Sequence, residues 1–388
     1  RVFSSAFESA TMRAQPGADT ARLIPSAHKV LKTMNSPDQA NELTRQSLTL
    51  DQPDDWHLHL RDGDALATTV PHTAAQFARA IVMPNLKPPV TSLQAASEYR
   101  DRILSARPSG SEFDPLMTLY LTDSLAPNEV EAAFNSGIVQ AVKYYPAGAT
   151  TNSDSGVSHM SAVMPVLERM AKIGMPLLIH GEVTDHEIDI FDREKVFIET
   201  LLEPLCRKLP TLRVVLEHIT TRYAVEFVNA APANVAATIT VHHLLFNRNH
   251  LLAGAVRPHY YCLPILKRSS HQEALIAAAT SGNPKFFLGT DSAPHARHAK
   301  ESDCGCAGIY TAASAIELYA EVFEDAGALD KLEGFASHYG PDFYGLLRNT
   351  NKITLEKKSW QMPSSFTLAQ DELIPLRAGE SIAWRLAK

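Results

Sequence analysis

The chain has 388 residues, 45% hydrophobic and 20% charged, and its 36 basic and 43 acidic side chains leave a formal charge of −7. That composition excludes a disordered or collagen-like chain, and an acidic balance without a basic block argues against binding nucleic acid or an anionic membrane surface. No run of ~18 apolar residues is present to span a bilayer, and four cysteines (Cys206, Cys262, Cys304, Cys306) do not make a disulfide scaffold in a chain this long.

The first fifty residues contain no strand-like apolar run. From Arg1 to Lys32, five basic residues (Arg1, Arg13, Arg22, Lys29 and Lys32) stand against Glu8 and Asp19. This bias fits the remnant of a plastid or mitochondrial transit peptide. Met34 fits equally as an internal start, and a flexible leader is a third reading; without a transit remnant the compartment is the cytoplasm. No apolar segment follows a basic start, which argues against secretion. Residues 1–47 are therefore set apart from a single catalytic domain at 48–388.

Beyond the leader, eight apolar or β-branched runs recur, at Trp56–Leu60, Ala80–Met83, Leu116–Leu121, Ile138–Tyr145, Pro176–His180, Val214–His218, Val235–Val241 and Lys285–Gly289. Helical periodicity separates most of them, at Ala75–Arg79, Leu93–Leu104, Pro127–Asn135, Met160–Ile173, Asp192–Lys208, Thr221–Asn229 and His271–Ala279. Pro127-Asn-Glu suits a first helical turn, with Asp123 or Ser124 upstream as caps. Eight strands alternating with helices predict a closed parallel (β/α)8 barrel. The first turn, Arg61-Asp-Gly-Asp64, has neither the glycines nor the charge to cradle a phosphate, so an open dinucleotide-binding sheet is disfavoured. Long loops at Phe246–Lys267 and Asp291–Gly308 are the expected site builders. From Ala307 the chain reads helical to about Leu347, then as short extended pieces that include Glu380–Leu386.

The ends of these runs carry the chemistry. His57 and His59 share a face of the first strand because the side-chain period is two. An H-x-H pair alone is a modest signal, since a histidine at a core rim is ordinary. His180 closes the fifth run, His218 the sixth, Asp291 follows the eighth, and Lys143 lies at the end of the fourth. Four imidazoles and a carboxylate suit zinc or a similar ion, and they are too many for one tetrahedral centre. An ammonium among cations is repelled, so Lys143 is expected neutral or chemically altered. Addition of carbon dioxide to its amine would give an anionic carbamate able to bridge two ions. Cys304-Gly-Cys306 has no second cysteine pair to complete a thiolate site, and both are expected reduced.

The segments Pro53-Asp-Asp-Trp-His-Leu-His-Leu-Arg-Asp-Gly63, Val82-Met-Pro-Asn-Leu86, Lys143-Tyr-Tyr-Pro-Ala147, Gly289-Thr-Asp-Ser-Ala-Pro-His295 and Cys304-Gly-Cys-Ala-Gly308 closely resemble the dihydroorotases of the amidohydrolase superfamily. The resemblance runs from about Leu48 to Trp384. It implies two zinc ions: His57, His59 and Asp291 on the more buried one, His180 and His218 on the other, and carboxylated Lys143 between them. It further implies that Arg61, Asn85 and His295 hold a ring carboxylate, and that Thr150 and Thr151 sit on a mobile loop covering the substrate. Leu263 and Ala307 match positions whose backbone touches a pyrimidine ring. Departures are small: Tyr144 stands where some members have Leu, and Val241-His242 where others have Pro-Gln.

The implied reaction is the reversible interconversion of N-carbamoyl-L-aspartate and L-dihydroorotate in pyrimidine synthesis. A metal-bridging hydroxide would be the nucleophile and Asp291 the general base and acid. A homodimer is also implied. The rival readings are a hydantoinase-like cyclic amidase lacking the carboxylate grip, a mononuclear deaminase that would leave Lys143 idle, and an inactive assembly subunit that would have lost ligands.

Overall fold

The computed structural model describes residues 46–387. The transit-remnant and leader readings for residues 1–45 lie outside the described residues. Eight parallel strands form the central sheet in chain order: β1 (Asp54–Leu58), β2 (Arg79–Val82), β3 (Asp114–Tyr120), β4 (Val139–Tyr144), β5 (Leu177–His180), β6 (Val214–Glu217), β7 (Val235–Ile239) and β8 (Phe286–Leu288). Each pairs in parallel with its neighbours, as for Leu177 with Val214 across β5 and β6, with register shifts between β1 and β2 and between β3 and β4. Helices from the predicted segments pack outside, so both faces of the strands are covered and the runs read as continuously apolar. The predicted (β/α)8 barrel is the fold.

The two edges of the sheet meet. The Asp291 N–H donates to the His57 carbonyl at 2.8 Å, and the His59 N–H to the Ser292 carbonyl at 2.9 Å. Beneath this seam, buried Asp55 accepts from the backbone N–H (2.8 Å) and hydroxyl (2.6 Å) of Thr290. One strand away from strict pairing, β1 carries an extra residue: Asp55 pairs with Ala80 and Leu58 with Val82, so three steps on β1 face two on β2. The bulge lets Trp56 enter the barrel core although its neighbour His57 faces the mouth. Trp56 stacks on Tyr344 with ring centroids 4.4 Å apart, plugging the closed end. A Cβ on Gly340 would lie 1.9 Å from Trp56 Nε1, so only glycine admits this contact.

Four expectations are corrected. The helix predicted at Ala75–Arg79 is instead Leu66–Gln76, and Arg79 already belongs to β2. Thr68, Thr69, Val70 and Pro71 are poor helix formers and hide the period; burial of Leu66, Val70 and Thr73 overrides them. Neither Asp123 nor Ser124 caps Pro127–Asn135, whose N-cap is Ala126; Asp123 accepts from the backbone and hydroxyl of Ser158 instead. The helix in Met160–Ile173 begins only at Met164, with Pro165 in its first turn. Finally, the first fifty residues do hold a strand: Ser47–Asp51 pairs antiparallel with Lys352–Glu356, which also pairs Arg385–Leu386. Ser47 thus lies in the fold rather than in the leader. Its run is short, and its partner lies some three hundred residues away, so local pattern could not reveal it.

Replacing Asp55 by Ala strips the acceptors from two buried Thr290 donors. We predict a loss of roughly 2–4 kcal/mol in unfolding stability, measured as the denaturant midpoint at constant slope. An unchanged midpoint would show that the seam holds without this carboxylate.

Candidate metal centre and active site

Inward-facing residues alternate along the strands, which sets the mouth. On β4, Ala141 faces the core and Lys143 the mouth; on β5, Leu178 the core and His180 the mouth. On β6 the alternation runs Val215, Glu217, so Glu217 is the residue the strand delivers inward. His218 would then point outward. Its backbone instead adopts φ of 42°, a left-handed conformation that returns the imidazole to the mouth. Arg61 (φ 61°) and Asp291 (φ 45°) are held the same way. Such conformations cost non-glycine residues of order 1–3 kcal/mol and cluster at functional sites.

Eleven predicted site residues line one pocket: His57, His59, Arg61, Asn85, Thr150, Thr151, His180, His218, Leu263, Asp291 and Ala307. Tyr145 joins them. The two others lie just behind. Lys143 is buried beneath, bonded to Glu217, and His295 sits 2.9 Å from the Arg61 guanidinium. A wider cavity at the opposite end of the barrel is bounded by Arg79 and Asp114 at the starts of β2 and β3 and by Asn349, and holds none of these residues. In this fold the chemistry belongs to the strand ends.

His57, His59 and Asp291 each present a ligand atom within 4.8 Å of the others. Asp291 Oδ1 lies 3.3 Å from His57 Nε2 and 3.2 Å from His59 Nε2. Donors held ~2.0–2.1 Å from a zinc ion at tetrahedral angles are roughly 3.3–3.4 Å apart. Both ring nitrogens of His57 and Nδ1 of His218 are buried without an aligned hydrogen-bond partner, although His57 Nδ1 is 3.0 Å from Glu217. Lone pairs this close that do not satisfy one another fit a shared cation. The rings of His57, His218 and His180 follow in steps of 4.9 Å, which carries the donor set across the mouth. His180 Nε2 contacts Glu182 at 2.9 Å.

The electrostatics are those of paired buried charge. Burial pushes the Asp291 carboxyl up, but His57 and His59 outweigh it and hold it well below the usual carboxylate range. Burial likewise opposes ionisation of Glu217, and the charges of His57 and Lys143 overcome it. Burial draws the Lys143 ammonium down from its ordinary value against the pull of Glu217. Burial, reinforced by Arg61, lowers His295 to about 2, so it is neutral. Arg61 spends Nε on the Pro294 carbonyl (3.0 Å) and one terminal nitrogen on His295, and leaves NH1 buried and unpaired.

The loop after β4 is folded inward. Asn85 donates to the Thr151 carbonyl (3.1 Å), Asn152 donates back to the Asn85 carbonyl (3.1 Å), and the Thr151 hydroxyl reaches the Ala307 carbonyl at 3.4 Å. Cys304 and Cys306 are unpaired thiols, as expected.

Sequence reasoning missed four residues here. Glu217 was overshadowed by the adjacent histidine; a lone acid inside the wholly buried Val-Val-Leu-Glu strand was the available signal. Asp55 fixes the seam, and the Tyr145 hydroxyl is buried without a partner. His242, noted only as a departure, is fully buried with neither ring nitrogen bonded.

A family model described as the amidohydrolase family matches residues 55–360. The dihydroorotase of Picosynechococcus sp. is 64% identical over 342 residues, covering 88% of this chain and 99% of the relative. The chain belongs to the dihydroorotases of the amidohydrolase family. It is thus an enzyme of the cyclic amidohydrolase type. The solved dihydroorotase of Campylobacter jejuni has a TM-score of 0.82 at 36% identity, over 89% of this chain and 98% of that one. That of Saccharomyces cerevisiae, in complex with 5-fluoroorotic acid, has a TM-score of 0.82 at 34% identity, over 88% and 98%. No described helix is long and apolar enough to cross a membrane.

Glu217→Gln would leave the buried Lys143 ammonium without its counter-ion. Breaking a buried pair in this way costs about 3–5 kcal/mol. Metal-free Glu217→Gln is therefore expected to unfold at clearly lower denaturant than metal-free wild type, and equal midpoints would remove the pair from the account.

Proposed function

We propose that this dihydroorotase uses two zinc ions to interconvert N-carbamoyl-L-aspartate and L-dihydroorotate in pyrimidine synthesis. The observation that carries the substrate reading is the buried, unpaired Arg61 NH1 beside Asn85 and His295, at the edge of the His/Asp cluster. It is a cationic donor waiting for an anion. The yeast relative's complex with 5-fluoroorotic acid, a pyrimidine carboxylate, supports that reading.

His57, His59 and Asp291 would hold one zinc ion, His180 and His218 the other, with N-carboxylated Lys143 between them. When bound, zinc lowers the pKa of water toward ~7 and polarises a carbonyl as a Lewis acid. Burial favours the neutral Lys143 amine, the form that adds to carbon dioxide with release of one proton. Arg61 would bind the ring carboxylate, with Asn85 alongside. His295, being neutral, accepts from Arg61 and orients its fork without repelling it. Ionised Asp291 would accept the proton of the attacking water and return it to the departing ring nitrogen. In the cyclising direction it would take the proton of the ureido nitrogen. Thr150 and Thr151, on the inward-folded loop, would exclude water from the reacting amide. The backbones at Leu263 and Ala307 would meet the ring's polar edges. We further propose a homodimer, and a leader before the barrel whose transit character would decide between an organelle and the cytoplasm.

Elemental analysis of protein purified without chelator should give about two zinc per chain, the number the donor set fits. A reproducible single equivalent with full activity, unchanged by added zinc, would overturn the two-metal reading.

Arg61→Met tests the substrate. Removing one partner of a desolvated charge pair costs ~2–5 kcal/mol, or roughly 30- to several-thousand-fold in kcat/KM. The loss is expected on L-dihydroorotate and should be far smaller on dihydrouracil, which lacks the carboxylate, at unchanged zinc content. Equal losses on both would show that Arg61 serves the loop rather than the substrate.

A further inference from the structure

Lys300 ends the short helix Arg297–Lys300 on the long loop after β8, and its side chain is buried. Its ammonium donates to three backbone carbonyls: Tyr261 at 2.8 Å, Cys306 at 2.9 Å and Gly308 at 2.6 Å. An ammonium has three donors and no acceptor, so its capacity is used in full, and no carboxylate is among these partners. Burying a cation without a counter-ion is costly unless its hydrogen bonds are all made. What these bonds join is two separate loops. Tyr261 stands two residues before Leu263, and Cys306 and Gly308 flank Ala307; Leu263, Ala307 and Gly308 all line the pocket. The Tyr261 carbonyl also accepts from the Gly308 N–H at 3.0 Å, so the loops are tied twice at one point.

The peptide geometry then decides a direction. The Cys306 carbonyl and the Ala307 N–H belong to one planar trans unit, in which they point opposite ways. Fixing the carbonyl on Lys300 turns the Ala307 N–H away from the ammonium, and that N–H makes no hydrogen bond among the described residues. Gly308 keeps the segment tight, since a Cβ there would lie 2.8 Å from His295 Cδ2.

We propose that Lys300 is a positioning residue for the substrate ring, whose ammonium fixes the Tyr261–Leu263 and Cys306–Gly308 backbones and so aims the Ala307 N–H at a carbonyl on the edge of a cyclic amide. The inference rests on the dihydroorotase reading above and extends it to a residue that never touches the substrate. Burial lowers the Lys300 ammonium to about 8, which marks the site as one that holds charge at a cost.

The test compares wild type, Lys300→Met and Lys300→Arg, all zinc-loaded, in the hydrolysis of L-dihydroorotate. Hydrogen bonds to charged groups are strong enough that Lys300→Met should raise KM by roughly 10- to 100-fold. Its kcat should stay within a few-fold of wild type, and its zinc content should be unchanged. Lys300→Arg keeps the charge, but its planar fork cannot converge on three carbonyls, so a smaller rise in KM at equal kcat is expected. If Lys300→Met fails to fold, as circular dichroism would show, the KM of Lys300→Arg decides alone. A KM equal to wild type in each folded variant, a fall in kcat at constant KM, or loss of zinc would overturn the clamp. Absence of wild-type turnover would overturn the dihydroorotase reading and the clamp built on it, whereas normal wild-type turnover with unchanged variants would overturn the clamp alone.

Discussion

An eight-stranded parallel sheet has two edges, and here the first and last strands meet along a seam of a few hydrogen bonds. His57 and Asp291 lie at opposite ends of the sheet order, and only closure brings them together. The Asp291 N–H on the His57 carbonyl places the two residues side by side. Asp55 locks the register one step below, because Thr290 binds it through both backbone and hydroxyl. A slip of one residue would turn Asp291 out of the mouth, since strand side chains alternate. The convergence of His57, His59 and Asp291 is thus a property of the whole barrel rather than of any local segment.

That convergence sets buried charges against one another at close range. Lys143, Glu217, His57 and Asp291 are all removed from water, where an isolated ion would be severely penalised. Each therefore has an opposite neighbour, and His57 stands between the two carboxylates. Three left-handed residues add further cost around the same mouth. The apolar packing inside and outside the strands offsets both, and the stiffness it brings keeps donor atoms from relaxing into ordinary hydrogen bonds.

Most of the barrel is legible in the sequence because β4, β5 and the outer helices other than Leu66–Gln76 obey their periods. Lys143 and His180 follow from alternation and a strand end. Failures occur where the backbone breaks the period: the bulge that turns both Trp56 and His57 inward, and the left-handed His218 that lets Glu217 and His218 share one mouth. The histidine was found for its chemistry, but strict alternation would have named the glutamate. Pairings remote in sequence were equally hidden, as with Ser47–Asp51 on Lys352–Glu356 and Asp123 on Ser158. Family resemblance supplied the loop residues, whose own sequence reads as any polar surface loop.

Asn85 shows how the rigid centre and the inward-folded loop are connected. Its side-chain oxygen lies 2.9 Å from His59 Nδ1. Accepting there places the proton on Nδ1 and leaves the Nε2 lone pair facing Asp291, the tautomer a metal ligand needs. The amide nitrogen of the same side chain holds the Thr151 carbonyl, and its backbone carbonyl receives Asn152. One residue thus orients a ligand and ties down the cover over the pocket. Opening the loop would release one side of the Asn85 amide while the His59 contact held the other. Loop motion is therefore transmitted to the orientation of His59 only as far as that amide can rotate, and its planar group admits little rotation without exchanging donor for acceptor.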